Sequence, residues 1–310
     1  MSLALLRAGH QVTSIDVTSP PPVLNRDNFS SFQADIRDPL ALKELFSRHK
    51  FDAVMHFASL IQAGESTRLP QPYYQTNLMG SISLINAMRN HDVDRLIFSS
   101  SAAVYGEPSY LPIDENHAKT PINPYGRSKA MVEDILTDLS DAHGFGFVAL
   151  RYFNAAGASP ADGLSERHDP ETHLIPLTIR ATAIGAPTLG VYGDDYPTAD
   201  GTCIRDYVHV KDICSAHALA LDYLRDGGKS IAYNLGNEKG FSVMEVIRTT
   251  EAILKKRVAF QIEKRRPGDP AVLVADSTRA RSELGWSPLH SELAEMISDS
   301  ARASGSTKPN

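Results

Sequence analysis

Cysteine is scarce in this chain: 310 residues carry two, Cys203 and Cys214. Two thiols cannot build a disulfide framework or a four-thiolate zinc site, and a reducing compartment, the cytoplasm, is expected. Long apolar runs are also missing. None approaches the roughly 18 residues that would read as a membrane span, so no membrane partner is expected. A basic surplus is missing too: 31 Lys and Arg face 37 Asp and Glu, a formal net charge of −6. With no excess of cations to hold a phosphate backbone, no nucleic-acid partner is expected. The hydrophobic content of 42% excludes a disordered chain. The length suits one large domain or two modest ones. The opening Met1–His10 has no long apolar stretch or small-residue cleavage site of a secretory leader. It reads as the end of a helix closed at Gly9.

The first half alternates strand and helix patterns. Strands are expected at Gln11–Asp16, Ser31–Ala34, Asp52–Phe57, Arg95–Ser99 and Gly146–Tyr152. Helices are expected at Leu40–His49, Pro70–His91 and Pro124–His143. Such alternation predicts βαβ units: an α/β fold with a doubly wound parallel sheet covered on both faces. After Tyr152 the pattern loosens. Helices are expected at His173–Gly185, Lys211–Leu224 and Val243–Lys255, and strands at Tyr207–Val210, Ile231–Leu235 and Arg257–Ile262. Gly190–Gly201 reads as turns. The division expected is 1–153, a smaller α/β domain at 154–303, and a disordered polar tail at 304–310.

Tyr125 and Lys129 sit four apart, on one face of a helix. A lysine ammonium beside a phenol favours the phenolate, which makes the tyrosine a candidate base near neutral pH. The spacing alone is weak evidence, and Tyr207 and Lys211 repeat it where the tyrosine falls on a strand. Context strengthens the first pair. Ser99-Ser100-Ser101 closes an apolar strand 24 residues before Tyr125, and ligands of open α/β sheets bind beyond the carboxyl ends of strands. Three other signals fail. Gly227-Gly-Lys-Ser230 lacks the first glycine of a phosphate loop, since position 223 is Tyr. Asp194, Asp195 and Asp200 lack EF-hand spacing. His209 and His217 have no third ligand in view, and no metal is expected.

Longer motifs surround these residues: His56-Phe-Ala58, Phe98-Ser-Ser-Ser-Ala102, Tyr125-Gly-Arg-Ser-Lys129 and Arg151-Tyr-Phe-Asn154. Later come Glu171-Thr-His-Leu-Ile-Pro176, Gly193-Asp-Asp-Tyr-Pro197, Asp200-Gly-Thr-Cys-Ile-Arg-Asp-Tyr-Val-His209 and Arg265-Arg-Pro-Gly-Asp269. Taken together, the chain resembles the extended short-chain dehydrogenases/reductases, and within them the UDP-glucose (UDP-galactose) 4-epimerases. The resemblance implies a Rossmann-type NAD domain, a UDP-sugar domain and a homodimer through Pro70–His91 and Pro124–His143. It implies Tyr125 as the base at the sugar 4-hydroxyl, Lys129 on the nicotinamide ribose, and Ser101 as the relay. For NAD it implies Asp16 at the adenosine ribose, Asp35 and Ile36 beside adenine, and Phe57, Ala58, Asn77, Ser99 and Tyr152 as further contacts. For the substrate it implies Asn154, Arg205 and Arg266 on the diphosphate, and Tyr207 and Asp269 around the uridine ribose and phosphates. His173, Leu174 and Gly190 to Tyr192 would hold uracil, and Leu273 would border the sugar.

The sequence also departs from that family. The family's opening strand and Gly-x-x-Gly-x-x-Gly turn, whose backbone N–H groups meet the pyrophosphate, have no counterpart before Met1. The expectation is a missing first strand, weak NAD binding and doubtful activity. Ile61 stands where some members carry lysine. Leu273, smaller than the tyrosine of some relatives, implies tolerance of N-acetylated sugars. A nucleotide-sugar dehydratase would carry an acidic pair after the strand-end hydroxyl, but Ala102 and Ala103 follow Ser101. An epimerase for another UDP-sugar and a non-catalytic scaffold protein stand as alternatives.

Overall fold

The computed structural model describes residues 1–266 and 268–306. It divides the chain into two interleaved compact units. The first comprises residues 1–106, 118–151 and 214–233, and the second 107–117, 152–213 and 234–310. Both units therefore draw on segments from the other side of a single cut at 153/154. Residues 214–233, on the far side of that cut, belong to the first unit.

In the first unit, strand Val12–Asp16 pairs in parallel with Phe29–Gln33. A four-stranded sheet follows in the order Val54–His56, Arg95–Ser101, Gly146–Tyr152, Ile231–Leu235, its first pair also parallel. The expected doubly wound sheet, with its first strand missing, stands as two sheets, of two and four strands. Arg95–Ser101 and Gly146–Tyr152 are buried along their middles, as strands covered on both faces must be. Leu96, Phe98 and Ala149 join Leu42, Leu84, Met88, Val132 and Leu136 in one core cluster. Each fully buried leucine or valine there stabilises by about 1.5–3 kcal/mol.

Helix Pro124–His143 matches its sequence bounds because its ends are written in local chemistry. Asn123 accepts from the Gly126 N–H, Pro124 begins the first turn, and Gly144 closes the helix at φ +69°. The expected Pro70–His91 helix is one rod with a defect. α-Helical Pro70–Tyr73 and Gly80–Arg89 flank a π-helical turn at Tyr74–Met79. Nothing in the apolar periodicity marks that defect.

The second unit centres on strand Ile204–His209, which pairs with Gly240–Ser242, Val272–Leu273 and Asn154–Ala156. Leu189–Tyr192 pairs in parallel with Phe260–Glu263, so the stretch read as turns begins with a strand. The strands at 154–156, 240–242 and 272–273 are too short for periodicity to reveal. Asp200-Gly-Thr is scaffolding. Asp200 accepts from Thr202 N–H and Oγ1 and from Ser242 Oγ, and Ser242 and Glu245 form the capping box of helix Val243–Leu254. A Cβ at Gly201, where φ is +79°, would lie 1.9 Å from the Asp194 carbonyl oxygen. Of the expected tail, Ser304, Gly305 and Ser306 are bonded back onto the final helix, and residues 307–310 lie outside the described residues.

Candidate active site

Tyr125, Lys129 and Glu133 follow one another at intervals of four along helix Pro124–His143, on one face. Lys129 is buried, 3% exposed. Its Nζ donates to the Ser99 carbonyl at 2.8 Å and lies 4.9 Å from the Phe98 ring centre and 5.9 Å from that of Tyr125. Burial pushes the Lys129 ammonium down to about 7, while the Glu133 carboxylate opposes the fall. The lysine is therefore poised to exchange its proton near neutral pH. Ser66 Oγ accepts from the Tyr125 N–H at 3.2 Å and is itself fully buried.

Ser101 ends its strand and caps the following turn, accepting from the Ala103 N–H. The start of the helix rests on that same turn. A Cβ added at Gly126 would lie 2.3 Å from the Ala103 oxygen, so only glycine lets Tyr125 come so near the segment of Ser101.

Glu133 carries no role in the sequence reading. Its buried carboxylate accepts from Ser100 Oγ at 2.6 Å, Arg151 Nε at 2.9 Å and Arg151 Nη2 at 2.6 Å. Arg151 also donates to Tyr105 Oη at 2.8 Å. This network ties helix, serine strand and the next strand together. The four-residue spacing from Lys129 and the arginine at a strand end are the signals that could have found it.

The other expected nucleotide residues of this unit occupy strand ends and loops. Asp16 ends its strand, exposed, accepting from Thr18 N–H and Oγ1. Asp35 is paired with Arg37 on both carboxylate oxygens, and that hydrogen bonding holds its carboxyl below the usual range. Ile36 is buried, and its side chain fills the space a Cβ would take at Gly80. Phe57, 40% exposed, stacks on His217, and Ala58 beside it is exposed. Asn77, in the π-helical turn, is 2% exposed. It accepts from Leu60 N–H and donates to Leu60 O and Ser128 Oγ, so its amide clamps the loop after Val54–His56. His56, buried against Ser81 Oγ, is pushed down to about 3 by burial and by the Lys129 charge, and stays neutral.

The second unit holds the residues expected at the substrate. Arg205 pairs with Asp269. Arg266 lies over Tyr192, 3.8 Å from the ring centre, a cation–π stack that keeps the guanidinium edge available. Gly190 and Tyr192 share one strand, and Leu273 pairs beside Arg205. Tyr152, expected at NAD, ends strand Gly146–Tyr152, and Asn154 opens strand Asn154–Ala156, paired with Tyr207. His173 precedes helix Leu174–Arg180, its imidazole turned onto Glu166. Tyr207 is a core residue: it packs with Ala156, Ile179, Val246 and Met296, and burial pushes its phenol up. Its strand points it inward among these neighbours. Asp206, also without a role in the sequence reading, is fully buried and accepts from the N–H groups of Asn237, Glu238 and Ala275. Burial pushes its carboxyl up to about 7 against those bonds.

Comparison with known proteins supplies the family. The GDP-mannose 4,6 dehydratase family model matches residues 5–299. The UDP-glucose 4-epimerase of Halalkalibacterium halodurans is 42% identical over 295 residues, 95% of this chain and 88% of that one. The chain belongs to the UDP-glucose 4-epimerase family. Among solved structures, the UDP-glucose 4-epimerase of Brucella ovis in complex with NAD superposes with a TM-score of 0.92 at 42% identity, over 97% of this chain and 92% of that one. The epimerase of Bifidobacterium longum in complex with NAD+ and UDP gives 0.90 at 35% identity, over 98% and 94%. These likenesses favour an active epimerase over the doubtful activity expected from the sequence, and over a scaffold protein. No helix among the described residues is long and apolar enough to cross a membrane.

Proposed function

We propose that this chain is an NAD-dependent UDP-glucose 4-epimerase, interconverting UDP-galactose and UDP-glucose through a 4-keto sugar. The observation that carries the catalytic reading is the buried Lys129 ammonium, held on Ser99 O beneath the Tyr125 ring and beside the turn of Ser101. Tyr125 takes the 4-hydroxyl proton and returns it, Ser101 holds the 4-oxygen and relays the proton, and Lys129 supplies positive charge beside the phenol. NAD, when bound, supplies reversible hydride acceptance at the sugar C4, so the net reaction is redox-neutral.

The donor set fits that cofactor. Two carboxylates, Asp16 and Asp35, offer acceptors to ribose hydroxyls and would repel a 2′-phosphate, favouring NAD over NADP. Phe57 offers an exposed ring, and Lys129 a donor. On the substrate, Arg205 and Arg266 suit a diphosphate through their fork geometry, with Asn154, Asp269, Gly190, Tyr192 and the His173–Leu174 backbone around the nucleotide. Leu273 leaves room for an N-acetylated sugar.

Exposed Met79 and Met131, on the rod Pro70–Arg89 and on helix Pro124–His143, support a homodimer through those helices. Two cysteines, both free, suit the cytoplasm.

Tyr125→Phe is the test. It removes the proton acceptor and little volume. Turnover of UDP-galactose is expected to fall about 10²–10⁴-fold, with KM and NAD content little changed. Turnover within a few fold of the parent would overturn the assignment of Tyr125 as base.

A further inference from the structure

We propose that Glu166, His168, Glu171 and His173 form a binding site for a borderline divalent transition-metal cation, with Zn2+ as the type ion. All four belong to the second unit, in the segment that leads into helix Leu174–Arg180. Each offers one ligand atom, and the four atoms lie within 4.8 Å of one another.

The donors are two imidazole Nδ1 atoms and two carboxylate Oε1 atoms. His168 Nδ1 is 3.0 Å from Glu166 Oε1 and 3.7 Å from Glu171 Oε1. His173 Nδ1 contacts Glu166 Oε1 and lies 3.9 Å from Glu171 Oε1. Zinc–ligand bonds of about 2.0–2.2 Å place tetrahedral neighbours roughly 3.3 Å apart. The four atoms thus already stand close to the edges of such a tetrahedron, and adjustments of under about 1 Å would complete it.

Charge and chemistry agree with the spacing. Two carboxylates with two neutral imidazoles carry −2, which a dication neutralises. Imidazole nitrogen selects zinc, cobalt or nickel over magnesium and calcium, which prefer all-oxygen sets. Glu171 is held in place by further bonds: its Oε1 accepts from the Thr172 and His173 N–H groups at 2.7 and 2.8 Å. Those bonds fix the carboxylate beside the two imidazoles before an ion arrives, and an ion that takes this oxygen would compete with them. The side chains are 12–37% exposed, open enough for an ion to enter and too enclosed for freely solvated charges. Glu166 and Glu171 also line a cavity of ≈ 520 Å³ within the same unit. That cavity gives an entry path and room for a water on the ion.

His173 is shared with the residues proposed around the nucleotide, so the variants are made at His168 and Glu171, which carry no role in the epimerase reading, and the two readings can fail separately. The test is titration of the chelator-washed full chain with ZnCl2, followed calorimetrically, together with the visible ligand-field spectrum of the Co2+ form. His168→Asn and Glu171→Gln are compared with the parent, their folds checked by circular dichroism. One equivalent of Zn2+ and a tetrahedral Co2+ spectrum are expected. Each variant is expected to bind at least about 100-fold more weakly while epimerase turnover stays near the parent value. No uptake, an octahedral Co2+ spectrum, or uptake unchanged in both variants would overturn the site. If one variant fails to fold, the other and the parent's Co2+ spectrum still decide.

Discussion

Lys129 gives a prediction that separates electrostatics from packing. A lysine buried in the folded protein and pushed down to about 7, against an ordinary value of 10.5, costs stability wherever it is protonated in the fold. The sign follows from proton counts. Between about pH 7 and 10.5 the unfolded chain binds the proton and the folded chain releases it, so the parent gains stability as pH rises through this window. Below pH 7 both states are protonated and the penalty is constant. Replacing the lysine by methionine keeps the volume and removes the charge. The Lys129→Met variant is expected to be more stable than the parent at pH 7 and to lose that advantage at about 1.4 kcal/mol per pH unit above it. From pH 7 to pH 9 the advantage should shrink by about 2–3 kcal/mol. The assay is urea unfolding at several pH values, with NAD content matched between the two proteins. The slope with pH is the test, because repacking around methionine shifts only the intercept. A stability difference independent of pH from 7 to 9 would refute the reasoning. Epimerase turnover should collapse in the same variant, so a gain in stability accompanies a loss of function.

Three further outcomes follow from the packing. Glu133→Ala leaves the Arg151 guanidinium buried and unpaired, and should cost about 3–5 kcal/mol in thermal or urea unfolding; a loss under 1 kcal/mol would show that the network contributes little. Gly126→Ala drives a Cβ into the Ala103 carbonyl, so stability should fall by about 1–3 kcal/mol and kcat with it, since helix and serine turn separate; unchanged kcat would break the link between that contact and catalysis. Asp206→Ala strands three N–H donors, two of them buried, and should cost about 2–4 kcal/mol, read as a lowered urea midpoint with or without substrate.

What the sequence made legible is what local chemistry encodes. Helix Pro124–His143 and strands Gly146–Tyr152 and Ile231–Leu235 match their sequence bounds, since caps, glycines and continuous apolar runs mark their ends. The Tyr125–Lys129 spacing placed both on one helical face, and their neighbourhood to Ser101 followed from the strand end. Two features were not legible. The interleaving of residues 107–117 and 214–233 is a long-range choice. The Glu133–Arg151 pair joins residues 18 apart whose charges read, in sequence, as ordinary surface groups. In the Arg205–Asp206–Tyr207 run, the resemblance names Arg205 and Tyr207 and passes over Asp206, whose part is to fasten backbone.

The π-helical turn at Tyr74–Met79 bears on how length variation in this chain should be treated. A turn closed five residues on, instead of four, holds one residue more than its α-helical equivalent. The turn absorbs that residue, so the flanking α-helical segments keep the phase of a rod one residue shorter. Removing one residue other than Asn77 from 74–79 would let the rod close into an uninterrupted α-helix, and the flanking helices would keep their facing. The casualty would be the bulge itself: Asn77 would lose the local geometry that aims its amide at Leu60 and Ser128, and the loop it clamps would lose its anchor. A one-residue gap aligned against this stretch therefore marks a homologue that has given up the clamp, however well the flanking helices agree.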